Sequence, residues 1–200
     1  MTKPDESNFT PPIFAYPNFG PLFSVSELAT RMTEPGISNG TIESQLRRWA
    51  QQGLIMPREK RGSGRTASNL FDCNELGIAK ILSELTDLGI EDVATLRAVS
   101  ECLYAGYVGE PKRALPHPIT AAIVRWHQNP KDWLTVSIDT YRHTQTGERK
   151  VVAGIVNVLA GEQLSPEIDG AWHPKASVMI QANPLFDRIF RNIFRPPSGN

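Results

Sequence analysis

The chain has 200 residues, 40% of them apolar, and its 21 basic side chains are balanced by 21 acidic ones. This length suits one larger domain or two small ones. No apolar run approaches the roughly 20 residues that span a bilayer, and Met1–Phe9 lacks the order of a signal peptide. We therefore expect a globular, cytoplasmic protein without a membrane partner.

The first predicted element is a short helix that follows a proline-rich segment. Residues 1–21 have the composition of a disordered tail. Ser24 and Glu27 then fit a capping box, in which the serine hydroxyl and the glutamate carboxylate each accept a backbone N–H of the other residue. Helical spacing predicts a helix over Val25–Met32, ended by Pro35-Gly36, with these residues buried: Val25, Leu28, Ala29 and Met32.

A second helix is predicted from Ser38 or Asn39 to Gln52, with Gly53 in the left-handed position that ends many helices. Its apolar stripe consists of Ile42, Leu46 and Trp49. Polar residues of the same helix, Arg47, Arg48 and Gln51, lie on other faces and stay available outside the core.

A basic β-hairpin is predicted next. Arg58–Arg65 is a charged turn that contains Gly62 and Gly64, and the more apolar Asn69–Phe71 follows it. Residues 44–66 hold six basic side chains and one acidic side chain, whereas residues 67–110 hold eight acidic and two basic ones. This segregation favours a phosphate-facing patch, and a solvated loop is the alternative.

Two further helices complete the first unit. Asp72 and Glu75 form a second predicted capping box, and Gly89 ends the helix that follows. The predicted apolar face of this third helix comprises Leu76, Ala79, Ile81, Leu82, Leu85 and Leu88. A fourth helix is predicted over Glu91–Tyr104, with Val93, Leu96, Val99 and Leu103 as its apolar stripe.

The second unit follows a glycine- and proline-containing linker, residues 105–117. A helix over Pro118–Gln128, with Ile119, Ala122, Ile123 and Trp126 inward, precedes three predicted strands. These strands are Leu134–Asp139, Val152–Leu159 and Ala176–Ala182, with a turn at Thr144–Gly147. A Phe-rich helix after Asn183-Pro184 should cover the sheet, and if the monomer does not cover that helix, it is a dimer surface.

Residues with chemical potential show no catalytic or metal-binding pattern. Cys73 and Cys102 lack the spacing of a zinc site, and four histidines are scattered along the chain: His117, His127, His143 and His173. Trp126, Trp133 and Trp172 are interpreted as core residues, with an apolar ligand pocket as the alternative. We expect no metal ion, no cofactor and no enzyme activity.

The first unit resembles the N-terminal DNA-binding domain of the mercury-resistance-regulator (MerR) family of transcriptional regulators, over Phe23–Leu103. The most specific stretch is Leu46–Pro57, where an apolar residue and Arg47 are followed by large residues, a polar stretch, Gly53, two aliphatic residues and proline. Phe23–Ala29 resembles the opening helix of that family, and Leu85–Ile90 with the acidic pair after it resembles the junction of its third and fourth helices.

The predicted fold class is α+β in two domains, the first implied by the resemblance and the second predicted from the strand and helix patterns of its own residues. Residues 22–104 would form a winged helix-turn-helix, mostly α with a small β-wing. Residues 118–195 would form a small α+β domain with about three antiparallel strands and a terminal amphipathic helix, before a tail over 196–200. The chain departs from the family pattern at Asn69, which stands where the hairpin usually carries an arginine, and at Thr33–Gly40, which is longer than usual.

The resemblance also implies which residues contact DNA, since the second helix of the family enters the major groove and its wing lies on the backbone. Candidate base contacts are Asn39, Thr41 and Arg47, with Arg48 beside them. Candidate phosphate contacts in and around the hairpin are Arg58, Lys60, Arg61 and Arg65. For each arginine the alternative is a solvated surface charge.

We therefore expect a sequence-specific transcriptional regulator, associated with the nucleoid, that binds a pseudo-palindromic site in double-stranded DNA as a homodimer. The second unit would dimerise or sense a small-molecule effector, and RNA polymerase is a further candidate partner. Two alternatives are an excisionase-like architectural DNA-binding protein and a winged-helix module for protein interaction.

Overall fold

The computed structural model describes residues 19–63, 67–104, 117–129, 131–157 and 170–194 of the chain. These residues form a mixed α and β structure with two antiparallel three-stranded sheets. None of the helices among them is long and apolar enough to cross a membrane. Several predictions lie outside the described residues: the tail 1–21 except residues 19–21, the linker 105–117 except residue 117, the tail 196–200, Arg65 in the hairpin and the end of the strand Val152–Leu159.

The first sheet and four helices occupy the N-terminal part of the described chain. Strand β3 is central, pairs antiparallel with β1 and β2, and brings Phe23 opposite Phe71 and Lys60 opposite Asn69. The two-residue strand β1 was not predicted. The elements, in chain order, are β1 (Phe23–Ser24), α1 (Val25–Met32), α2 (Asn39–Gln51), β2 (Glu59–Arg61), β3 (Ser68–Phe71), α3 (Cys73–Asp87) and α4 (Val93–Tyr104).

The second sheet lies in the C-terminal part and confirms the predicted antiparallel arrangement of three strands. Strand β4 is central, with Val136 opposite Ile155 on one side and opposite Ile180 on the other. The elements are α5 (Pro118–Gln128), β4 (Leu134–His143), β5 (Arg149–Asn157), β6 (Trp172–Gln181) and α6 (Ala182–Phe194). The predicted turn between β4 and β5 is confirmed, with Gly147 at a φ of +70°.

Local capping explains where the first helices begin and end. The Ser24 hydroxyl accepts the Glu27 N–H, and the Glu27 carboxylate accepts the Ser24 N–H at 2.7 Å, so the predicted capping box of α1 is confirmed. Ser38 caps α2, and Gly53 follows this helix with a φ of +71°.

The second predicted capping box is only half correct. The Asp72 side chain accepts the N–H groups of Asn74 and Glu75 and so caps α3. The Glu75 side chain turns away from this cap and accepts the Met56 N–H at 3.0 Å. Three apolar predictions are wrong, because Leu88 is 63% exposed, Val93 is 37% exposed and Trp133, which was predicted to be a core residue, is 49% exposed.

One apolar core runs through both parts of the molecule. It includes Leu46 and Trp49 of α2, Leu82 of α3, and Phe186 and Phe190 of α6. Helix α3 contacts the C-terminal helices closely, because a Cβ atom on Gly77 would lie only 3.1 Å from Ile119 Cδ1. The Phe-rich face of α6 is therefore covered within the chain, which removes the reason to assign that helix to a dimer surface.

Candidate nucleic-acid interface

Helix α2 has one buried face and one exposed face. Ile42, Leu46 and Trp49 are at most 5% exposed and attach the helix to the core. With about 100° between successive residues, the opposite side carries Arg47 and Arg48, both exposed. The helix therefore presents two guanidinium groups to solvent from a rigidly packed element.

The start of α2 carries the polar residues predicted to contact bases. Asn39 and Thr41 are both exposed. The Asn39 side chain contacts the Thr33 hydroxyl, and the Thr41 hydroxyl lies 2.8 Å from the Ser38 hydroxyl. Thr41 and Arg48 are two helical turns apart and lie along nearly one line of the surface. Asn39 lies nearer the edge of the buried face.

Arg47 already has a partner on its own helix. Its Nη2 lies 2.6 Å from Glu43 Oε2, one turn earlier, while 58% of the Arg47 side chain is exposed. An exposed pair of this kind contributes roughly 0 to 1 kcal/mol. Arg47 can therefore leave Glu43 for a stronger acceptor, such as a phosphate or a guanine edge, with little loss of stability.

The β2–β3 hairpin supplies a second set of cations. Lys60 and Arg61 are exposed on β2. Glu59, which precedes them in the same strand, is also exposed. Arg61 also lies near the carboxylate of Glu27 in α1. The pKa of Glu27 is lowered first by its hydrogen bonds from Ser24, and the charge of Arg61 adds to the effect. Arg61 is thus close to α1 as well as accessible to solvent.

Arg58 does not belong with the exposed cations. Only 18% of its side chain is exposed, and its Nε lies 3.3 Å from both Asp72 Oδ2 and Glu75 Oε1. Its backbone N–H donates to the Leu70 carbonyl at 2.8 Å, which fixes the base of the hairpin. The predicted phosphate contact by Arg58 conflicts with this position, since the guanidinium is mostly buried beside two internal acidic side chains, and we remove Arg58 from the candidate interface.

Sequence reasoning missed the buried cluster that holds Arg58. Glu75 has no exposed surface, and its Oε2 accepts the Met56 N–H and the Tyr104 hydroxyl. Burial raises the pKa of Glu75 to about 7, although the Tyr104 hydroxyl and the charge of Arg58 oppose this. The partners of Glu75 lie 19 and 29 residues away in sequence, so no local pattern signalled this cluster.

The candidate interface has the chemistry of an anion-binding surface. Its exposed side chains donate hydrogen bonds and carry positive charge at Arg47, Arg48, Lys60 and Arg61. Within the described ranges, no group of three or more His, Cys, Asp and Glu side chains is placed to hold a metal ion. The only described histidine that is buried, His117, contacts the Tyr104 carbonyl through Nδ1.

Comparison with known proteins leaves the family of this chain open. No family model matches it, and no curated protein matches it.

Proposed function

We propose that the chain is a sequence-specific DNA-binding transcriptional regulator with a winged helix-turn-helix, in which α2 enters the major groove. The observation that supports this most strongly is the division of α2. Its apolar face is buried at Leu46 and Trp49, while Arg47 and Arg48 are exposed on the other side of the helix. An α-helix fits the major groove, and its exposed side chains then reach the base edges.

The exposed residues divide into two roles. Arg47, Thr41 and Asn39 belong to α2 and contact base edges, where an arginine paired with guanine gives roughly 1 to 3 kcal/mol of discrimination. Lys60 and Arg61 belong to the hairpin and contact phosphates, which adds affinity without sequence information. Arg48 belongs to α2 as well, in line with Thr41, and is proposed to contact the DNA backbone at the edge of the groove.

The regulator is proposed to bind as a homodimer. A helix-turn-helix dimer reads two half-sites that are related by two-fold symmetry and separated by about one turn of DNA. The covered face of α6 is not the contact between copies, because Phe186 and Phe190 are fully buried within one chain.

Selection from random duplex DNA tests the proposal. The bound sequences should converge on a two-fold symmetric site, and footprinting at two salt concentrations should show affinity that falls steeply with salt. Weak binding without sequence preference would favour an architectural DNA-binding protein. Absence of binding would contradict any role on DNA and favour a module for protein interaction.

Two substitutions test the division of roles. Arg47→Ala should weaken binding to the selected site by about tenfold or more and leave a scrambled duplex nearly unaffected. Arg61→Ala should weaken binding to both duplexes alike and reduce the salt dependence by about one ion. Arg142→Ala, at the exposed C-terminal end of β4, is the matched control and should leave the affinity for both duplexes unchanged. Identical behaviour of the first two variants would refute the assignment.

A further inference from the structure

The connection between α1 and α2, residues 33–38, has few apolar contacts of its own. Pro35 and Gly36 are exposed, and Ile37 is 36% exposed. Gly36 has a φ of +89°, and a Cβ atom placed on it would meet no atom within 4 Å. A segment with so little burial keeps one conformation only if polar contacts from other elements hold it.

Arg188 of α6 supplies two such contacts. Its Nη2 donates to the Thr33 carbonyl at 2.8 Å, and its Nη1 lies 2.8 Å from Glu34 Oε1. The guanidinium group thereby holds two successive residues of the connection through one planar set of donors. The contact joins positions that are 155 residues apart in sequence.

Glu34 is held from a second direction by Lys80 of α3. Lys80 is 1% exposed, and its ammonium group pairs with Glu34 Oε1 and, at 2.6 Å, with Glu84 Oε1. A buried ammonium requires such partners, because removing its charge from water is otherwise unfavourable. The hydrogen bond from Lys80 lowers the pKa of Glu34, which keeps this carboxylate ionised towards Arg188.

The contacts continue into the first residue of α2. The Thr33 hydroxyl donates to the Ala29 carbonyl at 2.8 Å and contacts Asn39 Oδ1. At the other end, α6 is fixed because Phe186, Ile189 and Phe190 are buried. Arg188 therefore extends from a helix packed into the core to Thr33, the residue that contacts Asn39 at the start of α2.

We infer that Arg188 is a positioning residue, through which the C-terminal helix α6 holds the 33–38 connection and sets the orientation of α2. This inference rests on the function proposed above, because α2 reads DNA only under that proposal. It implies that the C-terminal part of the chain controls DNA binding through a contact that itself touches no DNA.

Hydrogen exchange on the DNA-free chain tests the positioning role directly. In Arg188→Gln, the Ile37 and Thr41 amides should exchange about tenfold faster, because both belong to the connection and the cap that follows it. Arg125→Gln is the matched control, since Arg125 forms a similarly exposed pair with Asp132 at 3.0 Å. It should leave both amides unchanged. Parent-like exchange in Arg188→Gln would overturn the inference.

DNA binding gives the second measurement. Arg188→Gln should lose about tenfold in affinity for the selected duplex, with less than about twofold loss for a scrambled one. Arg188→Lys keeps the positive charge but not the paired donors, so its affinity for the selected duplex should lie between that of Arg188→Gln and that of the parent. Equal losses on both duplexes would contradict the role in positioning. If the parent chain shows no sequence preference, the proposed function fails, and the exchange result still decides whether Arg188 holds the connection.

Discussion

Glu75 is a carboxylate without solvent exposure at the point where α3, α4 and the base of the hairpin meet. Its surroundings favour the protonated form mainly through burial; the charge of Arg58 opposes this effect and the charge of Asp72 adds to it. The folded state thus binds a proton at this site up to a pH of about 7, whereas the unfolded chain releases it near the ordinary value of 4.5. The stability of the whole molecule is linked to this one proton.

The pH dependence of unfolding should reveal that proton. Since the folded pKa is raised, the contribution of Glu75 is complete below pH 4.5 and is lost as the pH rises to about 7. The unfolding free energy should fall over this range by up to about 3 kcal/mol. Glu75→Gln should remove this slope in urea unfolding experiments at a series of pH values.

Glu27→Gln is the control for this measurement. Hydrogen bonds from Ser24 lower the pKa of Glu27, so its contribution is present above the ordinary value of 4.5 and is lost only in more acidic solution. The slope between pH 4.5 and 7 should therefore persist in this variant. A Glu75→Gln profile parallel to that of the parent would show that Glu75 does not titrate in this range.

At the scale of single elements, the first helices were predictable because their signals are local. Ser24, Ser38 and Gly53 act through residues within four positions of themselves, so α1 and α2 begin and end as the sequence predicts. The direction of a long polar side chain is not local. Glu75 has the spacing of a capping residue but bonds with Tyr104, which lies 29 residues away.

The same distinction limits prediction of the candidate interface. The exposed face of α2 follows from helical spacing, which places Arg47 and Arg48 away from Leu46. Two other features depend on packing between distant elements. Arg58 is withdrawn from the candidate interface because it lies beside Asp72 and Glu75, and Arg188 contacts Thr33. A pattern of a few neighbouring residues in the sequence does not predict such contacts.

The cap of α2 allows stability and DNA binding to be separated. The Ser38 hydroxyl accepts the Thr41 N–H at 3.2 Å, so Ser38→Ala should lower the unfolding free energy by about 1 kcal/mol. Ser38→Asp should retain the stability, because a carboxylate accepts the same N–H and is favoured at a helix N-terminus.

Under the proposed function, the same aspartate should weaken DNA binding, since it adds a negative charge at the start of the helix that enters the groove. Urea unfolding measures the first effect, and fluorescence anisotropy with a labelled duplex measures the second. If Ser38→Asp binds the selected duplex as tightly as the parent, the start of α2 does not approach the phosphates.

For the whole molecule, the decisive feature is that α3 contacts elements of both the N-terminal and the C-terminal part. It packs against α5 at Gly77, its Asn74 Oδ1 accepts the Thr120 hydroxyl at 2.8 Å, and its Lys80 pairs with Glu34. Since one apolar cluster includes α2, α3 and α6, loss of packing in the C-terminal part removes contacts from the N-terminal part as well.

This continuity predicts that the full chain unfolds in one transition, with far-UV circular dichroism and tryptophan fluorescence coinciding. Phe190→Ala, in the buried face of α6, should lower the free energy of unfolding by about 3 to 5 kcal/mol. It should also lower the protection of backbone amides from hydrogen exchange in α2 as well as in β4, although α2 lies more than a hundred residues away in sequence. Met179→Ala is the matched control, because Met179 is 61% exposed, and it should stay within about 0.5 kcal/mol of the parent. Loss of protection in β4 alone would mean that the two parts unfold independently, and α6 would then have no route by which to influence the helix proposed to read DNA.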